Sequence, residues 1–207
     1  MISGTLKYKM EMKRLLFVCS GNSCRSVMAE YIMKDLCKKQ SIKMEIFSRG
    51  INPEEEVNQY TIGVLKNSEV KQHVPKRLEQ EDISLSDLIL TMDKPTKAKI
   101  IIFYPNILEN LEKVYTLKEI LGHNDPNIED PYSNQFIIKN GRVYKNKDED
   151  MIIDRYKKCN NYILECLKEL IKKKDNMVLP KNNFADIVGY YMMISNTIKK
   201  KDLINEF

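Results

Sequence analysis

Arg14-Leu15-Leu16-Phe17-Val18-Cys19-Ser20-Gly21-Asn22-Ser23-Cys24-Arg25-Ser26-Val27-Met28 is the stretch from which the fold can be read. Leu15 to Val18 form a short apolar run that stops at small polar residues, the pattern of a strand buried on both faces. From Ser26 the period changes. Met28, Ile32 and Leu36 lie four apart, with Ala29, Met33 and Cys37 beside them, which makes a helical stripe. The opening is therefore strand, polar loop, helix.

The alternation continues outward from there. Strands are predicted near Met44 to Ser48, at Asp87 to Met92 and at Lys113 to Tyr115, with helices near Asn58 to Lys66 and Pro95 to Tyr104. Strands spaced by helix-length segments require right-handed crossovers. The fold class is α/β, a doubly wound parallel sheet of about four strands with helices on both faces. Ligands bind beyond the carboxyl ends of such strands, which makes the loop after the first strand the first place to look.

Ile152, Tyr156, Cys159, Ile163, Cys166 and Leu170 follow steps of three and four, so an amphipathic helix over 150–174 closes the domain. Residues 1–12 show no period and are read as a leader outside the fold, and 13–174 as the domain. Within it, Asn140-Gly141 between two β-prone runs predicts a hairpin inserted over 134–148. The remainder, 175–207, is read as a C-terminal helical extension. Its helix would start at Asn183 and carry Phe184, Ile187, Tyr191 and Ile198 along one face.

Composition excludes several classes. The chain has 207 residues, of which 43% are hydrophobic and 30% charged, with 7 Gly and 7 Pro, so it buries a core and is no disordered or collagen-like polymer. Lys and Arg number 34 against 29 Asp and Glu, a scattered +5 that suits anionic ligands better than a nucleic-acid surface. Five cysteines at no framework spacing, with no secretory leader before them, predict a cytoplasmic protein. No apolar run approaches the roughly 20 residues needed to span a bilayer. With two histidines and no Cys-x-x-Cys pair, neither a metal nor another cofactor is assigned.

The loop from Cys19 to Ser26 carries the chemistry. Between a strand and a helix, its backbone N–H groups and the helix N-terminus converge on an anion. Gly21 and Asn22 tolerate the left-handed dihedrals of a curled loop. Cys19 sits where these donors and Arg25 stabilise a thiolate, the attacking form of sulfur. Arg25 offers a planar fork to two phosphoryl oxygens, and Ser26 can donate to the sulfur. Ser20, Ser23 and Cys24 complete the loop. An acid for the leaving group is also needed. Asp130, followed by Pro131 and by Tyr132 as a cleft wall, is the candidate, and Asp125-Pro126 is a second one that spacing does not exclude.

These residues resemble the low-molecular-weight protein-tyrosine-phosphatase family, including its bacterial branch of protein arginine phosphatases. The resemblance covers Val18 to Ser26, Ser48-Arg49-Gly50, His73, Asp87 to Asp93, Tyr115 to Glu119 and Asp130-Pro131-Tyr132. It implies a protein phosphatase acting on phosphotyrosine or phosphoarginine side chains of a protein substrate. Cys19 would be the nucleophile that forms a phosphocysteine, Arg25 the phosphate clamp, Ser26 the thiolate partner, Asn22 a loop stabiliser and Asp130 the general acid. Val27 stands where the family has proline, and the glycine usual after the acid loop is absent. Ser23 holds the position that is aliphatic in tyrosine-directed relatives and resembles the threonine of the arginine-directed ones, which leaves both substrates open. The fold also hosts thiol-linked arsenate reductases. Cys159 and Cys166 have the matching separation, but they would lie about 10.5 Å apart along a helix, too far to bridge. A non-catalytic phosphate-binding module is the remaining alternative.

Overall fold

The computed structural model describes residues 12–104, 111–132, 136–139, 142–145, 148–174 and 179. In chain order the elements are β1 (Arg14–Cys19), α1 (Arg25–Lys39), β2 (Glu45–Gly50), α2 (Gln59–Leu65), a 3-10 turn (Ser68–Gln72), α3 (Gln80–Leu85), β3 (Leu88–Thr91), α4 (Lys94–Phe103), β4 (Val114–Thr116), β5 (Phe136–Lys139), β6 (Arg142–Lys145) and α5 (Glu149–Lys173). The first four strands form one sheet in the order β2-β1-β3-β4, and every pair is parallel.

The strands are apolar on both faces because both faces are covered. Leu15, Phe17, Leu88 and Leu90 pack with Met28 and Ile32 of α1 and with Tyr156, Ile163 and Leu167 of α5. Leu16, Val18 and Ile89 point the other way, onto Ile83 of α3 and Ile100 of α4. Each such side chain withdrawn from water contributes roughly 1.5–3 kcal/mol. Met12 and Leu179 pack against the first of these two clusters.

Side-chain caps start several of the helices. Asp93 accepts the Thr96 N–H, with Pro95 in the first turn of α4. Asp148 caps α5 by accepting the Met151 N–H. Helix α3 and the 3-10 turn were not anticipated from periodicity, since a helix of six residues shows no repeat. The capping box of Glu79 and Asp82 is the signal that α3 does carry. β2 runs two residues beyond the predicted Ser48, because Arg49 and Gly50 continue the ladder opposite Val18 and Cys19. β5 and β6 pair antiparallel, Phe136 facing Lys145 and Lys139 facing Arg142. The turn at 140–141 and the helix expected from Asn183 lie outside the described residues. Among the described residues, no helix is long and apolar enough to cross a membrane.

Two crossovers position the site. From β1 the chain crosses through α1 on one face to β2, whereas from β3 it crosses through α4 on the other face to β4. The loops leaving β1 and β3 therefore diverge, and a crevice opens between the carboxyl ends of these adjacent strands. Cys19 ends β1, and Asp93 follows the end of β3.

Candidate active site

The loop from Cys19 to Ser26 is curled by its own carbonyl groups. The carbonyls of Cys19, Ser20, Gly21 and Ser23 accept hydrogen bonds from the backbone N–H groups of Ile51, Asn52, Glu54 and Asn58, at 2.9–3.1 Å. In a trans peptide the N–H points opposite to the C=O. Carbonyls drawn outward thus turn the N–H groups of the following residues inward, and that of Asn22 is aimed at Cys19 Sγ at 3.3 Å. Gly50 makes this seam possible, because a Cβ there would lie 2.9 Å from Asn22 N and from Ser20 O.

Cys19 is buried, and its Sγ lies 3.0 Å from Ser26 Oγ. The direction of that hydrogen bond follows from the network behind it. Glu30 is acceptor-only as a carboxylate, so Ser48 Oγ donates to Glu30 Oε2 at 2.6 Å. Ser48 then accepts from Asn22 Nδ2 at 2.7 Å, and Ser26 Oγ accepts from the same amide at 3.1 Å. The Ser26 hydroxyl hydrogen is left for the sulfur. Asn22 itself sits at φ 48°, a left-handed conformation that asparagine tolerates. Its Oδ1 accepts the Lys76 N–H at 2.9 Å and faces His73 Nε2 at 3.4 Å. Burial, with Lys34, Arg49 and Lys76 nearby, lowers the His73 pKa below its ordinary value despite Glu30. A neutral ring with hydrogen on Nε2 is the form that donates to Asn22.

Arg25, in the first turn of α1, is 4% exposed. Its Nη1 donates to Asp93 Oδ2 and, at 2.9 Å, to the carbonyl of Ile128, while Nη2 donates to Asp130 Oδ2 at 2.7 Å. Burial works against this cation, but the charges of Asp130, Cys19 and Asp93 outweigh it and hold its pKa above the ordinary value. Burial also opposes the charge on Asp93, yet Arg25 and the Thr96 hydrogen bonds leave its pKa below the usual carboxylate value.

The two Asp-Pro pairs are thereby separated. Asp130 meets Arg25, and its other oxygen accepts the Tyr132 N–H at 3.0 Å. Asp125 turns away, bonded to Lys118 Nζ at 2.7 Å and to the Asn127 N–H at 3.0 Å. Tyr132 is exposed beside Asp130. In the loop, Ser20 is exposed and Ser23 is buried. Cys24 Sγ lies 3.4 Å from Tyr156 Oη, and burial pushes its pKa up to about 11.

Of the residues read from the sequence, Cys19, Asn22 and Ser26 share one hydrogen-bond network and Arg25 meets Asp130. Ser20, Gly21 and Ser23 lie in the same loop, Cys24 turns toward Tyr156 in the core, and Tyr132 meets Asp130 through its backbone N–H. Cys159 and Cys166 are buried in the face of α5, and burial pushes Cys159 up to about 12. Residue order assigns no site role to Glu30 or Ser48, and none that can be derived to Asp93. For Glu30 a signal exists, a carboxylate four residues after Ser26 on a helix face that otherwise packs inward. No group of His, Cys, Asp and Glu that could hold a metal is present among the described residues.

A model of the low molecular weight phosphotyrosine protein phosphatase family matches residues 14–173. The chain is 27% identical over 166 residues to a protein-arginine-phosphatase of Bacillus subtilis, covering 78% of this chain and 97% of that one. It is 33% identical over 122 residues to a protein-arginine-phosphatase of Geobacillus stearothermophilus, covering 58% and 78%. The crystal structure of a low molecular weight protein tyrosine phosphatase from T. tengcongensis superposes with a TM-score of 0.63 at 30% identity, covering 78% of this chain and 99% of that one.

Proposed function

The chain belongs to the low molecular weight phosphotyrosine protein phosphatase family of hydrolases, and from that premise we propose that it hydrolyses phosphotyrosine or phosphoarginine side chains through a phosphocysteine on Cys19. The observation that carries the mechanism is the placement of Cys19 Sγ, 3.0 Å from the Ser26 hydroxyl and 3.3 Å from the Asn22 N–H, in a loop whose next element begins with Arg25. The Cys19 thiolate attacks phosphorus, forming the S–P bond as the P–O or P–N bond of the substrate breaks. Loop N–H groups and Arg25 hold the equatorial oxygens as charge spreads over them. A guanidinium has five hydrogens, so Arg25 can serve the phosphoryl group as well as Asp93.

Asp130 gives its proton to the departing oxygen or nitrogen, so that a neutral group leaves. It then takes a proton from water as the water attacks phosphorus. The S–P bond breaks, inorganic phosphate departs and the thiolate is restored. Protein substrates, and no metal or other cofactor, are part of this proposal. So is the reading of 134–148 as an insertion in the 13–174 domain and of 175–207 as a helical extension.

Paired phosphotyrosine and phosphoarginine peptides assayed with wild type, Cys19→Ser and Asp130→Asn test the scheme. Wild type is expected to release phosphate, Cys19→Ser to fall by roughly 10⁴-fold or more, and acid-quenched wild type to carry one phosphoryl group on the Cys19 peptide. Full activity of Cys19→Ser would overturn the mechanism.

A further inference from the structure

The face of Gly21 carries two acceptors that the mechanism does not use. A Cβ built on Gly21 would meet Ser23 Oγ at 3.3 Å and the Glu54 side chain, its Cγ at 3.0 Å and Oε1 at 3.4 Å. A hydroxyl and a carboxylate therefore flank the same spot on the phosphate loop, within about 7 Å of each other by these two distances. Glu54 is sewn into place, since its N–H donates to the Gly21 carbonyl at 2.9 Å and Pro53 precedes it. Among the described residues its exposed carboxylate forms no ion pair. Ser23 is 7% exposed, and its hydroxyl lies 3.7 Å from the sulfur of adjacent Cys24, a weak partner that leaves most of its hydrogen-bonding capacity unused.

A carboxylate beside a phosphate-binding loop repels a phosphoryl dianion. Its presence there makes chemical sense if the substrate brings a cation joined to the phosphoryl group. A phosphorylated guanidinium does so, with N–H donors one bond from the P–N linkage, whereas a phenyl ring offers no donor. Resting on the phosphatase function proposed above, we propose that Glu54 is a further specificity-determining residue, beside the loop position of Ser23, that accepts the guanidinium N–H groups of phosphoarginine and disfavours phosphotyrosine.

The test compares kcat/KM on two peptides of one sequence, bearing phosphoarginine or phosphotyrosine, for wild type, Glu54→Gln, Glu54→Asp, Glu55→Gln and Glu56→Gln. Hydrolysis of p-nitrophenyl phosphate by wild type is measured alongside. Glu54→Gln is expected to lower the arginine-to-tyrosine ratio about tenfold, the size of a charge-assisted hydrogen bond. Glu54→Asp should recover part of it, and the Glu55 and Glu56 variants should leave the ratio within about twofold of wild type. A ratio unmoved by Glu54→Gln, or moved equally by all three glutamine variants, overturns the assignment. So does a wild type that turns over phosphotyrosine but not phosphoarginine, which leaves the phosphatase function standing. A wild type inactive on p-nitrophenyl phosphate as well overturns that function instead.

Discussion

The loop that follows β1 and the loop that carries Asp130 meet at one residue, Arg25, yet they are held in opposite ways. The Cys19–Ser26 loop is over-determined. Four of its carbonyls are tied to the 51–58 segment, its asparagine is bonded on every side, and Asn22, Ser26 and Ser48 are at most 1% exposed. The acid loop is held at its surface by Glu129 to Arg155 at 3.1 Å and Asn127 to the Lys94 N–H at 2.9 Å. Beneath, it is held by the buried Ile128, whose N–H donates to the Met92 carbonyl at 2.8 Å and whose carbonyl accepts from Arg25. Behind it lies a cleft of about 570 Å³ between Ile128, Pro131, Met151, Cys159 and Tyr162. Buried hydrogen bonds are expensive to leave unmade, whereas exposed ones exchange with water. The difference teaches that the nucleophile's cradle is held by buried hydrogen bonds along its length, while the acid loop is anchored below at Ile128 and Asp130 reaches the crevice through its bond to Arg25.

Replacing that shared residue should have the largest effect. Arg25→Lys substitutes a point charge for a planar fork that spans Asp93, the Ile128 carbonyl, Asp130 and a phosphoryl group. It should lower kcat/KM by roughly 10³-fold while the protein stays folded by circular dichroism. A loss below tenfold would show that the acid loop does not depend on the guanidinium.

Next, the two Asp-Pro turns should part company. Asp130→Asn is expected to cost roughly 10²–10³-fold in kcat on substrates with a poor leaving group, and much less on p-nitrophenyl phosphate, whose leaving group needs little protonation. Asp125→Asn should stay within about twofold. Equal losses on both substrates, or equal losses from both aspartates, would contradict the assigned roles.

Stability should separate the loops more modestly. Asn22→Ala puts a Cβ-bearing residue without a polar side chain at a positive φ and strips partners from Ser26, Ser48 and the Lys76 N–H. Urea unfolding should show a loss of roughly 2–4 kcal/mol. Asn127→Ala, at an exposed cap, should cost below about 1 kcal/mol. If the two losses match, burial is not what distinguishes the regions.

The smallest effect is one of pH. The His73 pKa is lowered in the folded protein from 6.5, so below that value the unfolded chain binds the proton that the folded one resists. Stability from this group is complete above about pH 6.5 and declines as pH falls toward the folded value. His73→Gln should flatten the wild-type decline that sets in below about pH 6.5 in urea titrations. An unchanged slope would assign the decline to other groups.

Much of this was legible in residue order alone. The run Leu15 to Val18, the four-residue steps after Ser26 and the spacing of Cys19 from Arg25 fix a strand, a helix and a loop between them, because backbone rise and hydrophobic period act over a few residues. Which aspartate reaches Arg25 was not legible. The choice between Asp125 and Asp130 is made about 105 residues away from Arg25, where it depends on the crossovers that bring the end of β3 and the acid loop to the crevice. Likewise, that Glu30, Ser48 and His73 orient the Ser26 hydrogen is decided by packing between α1, β2 and the segment before α3. Spacing along a chain specifies neighbours on one element, and only the assembled sheet specifies neighbours between elements.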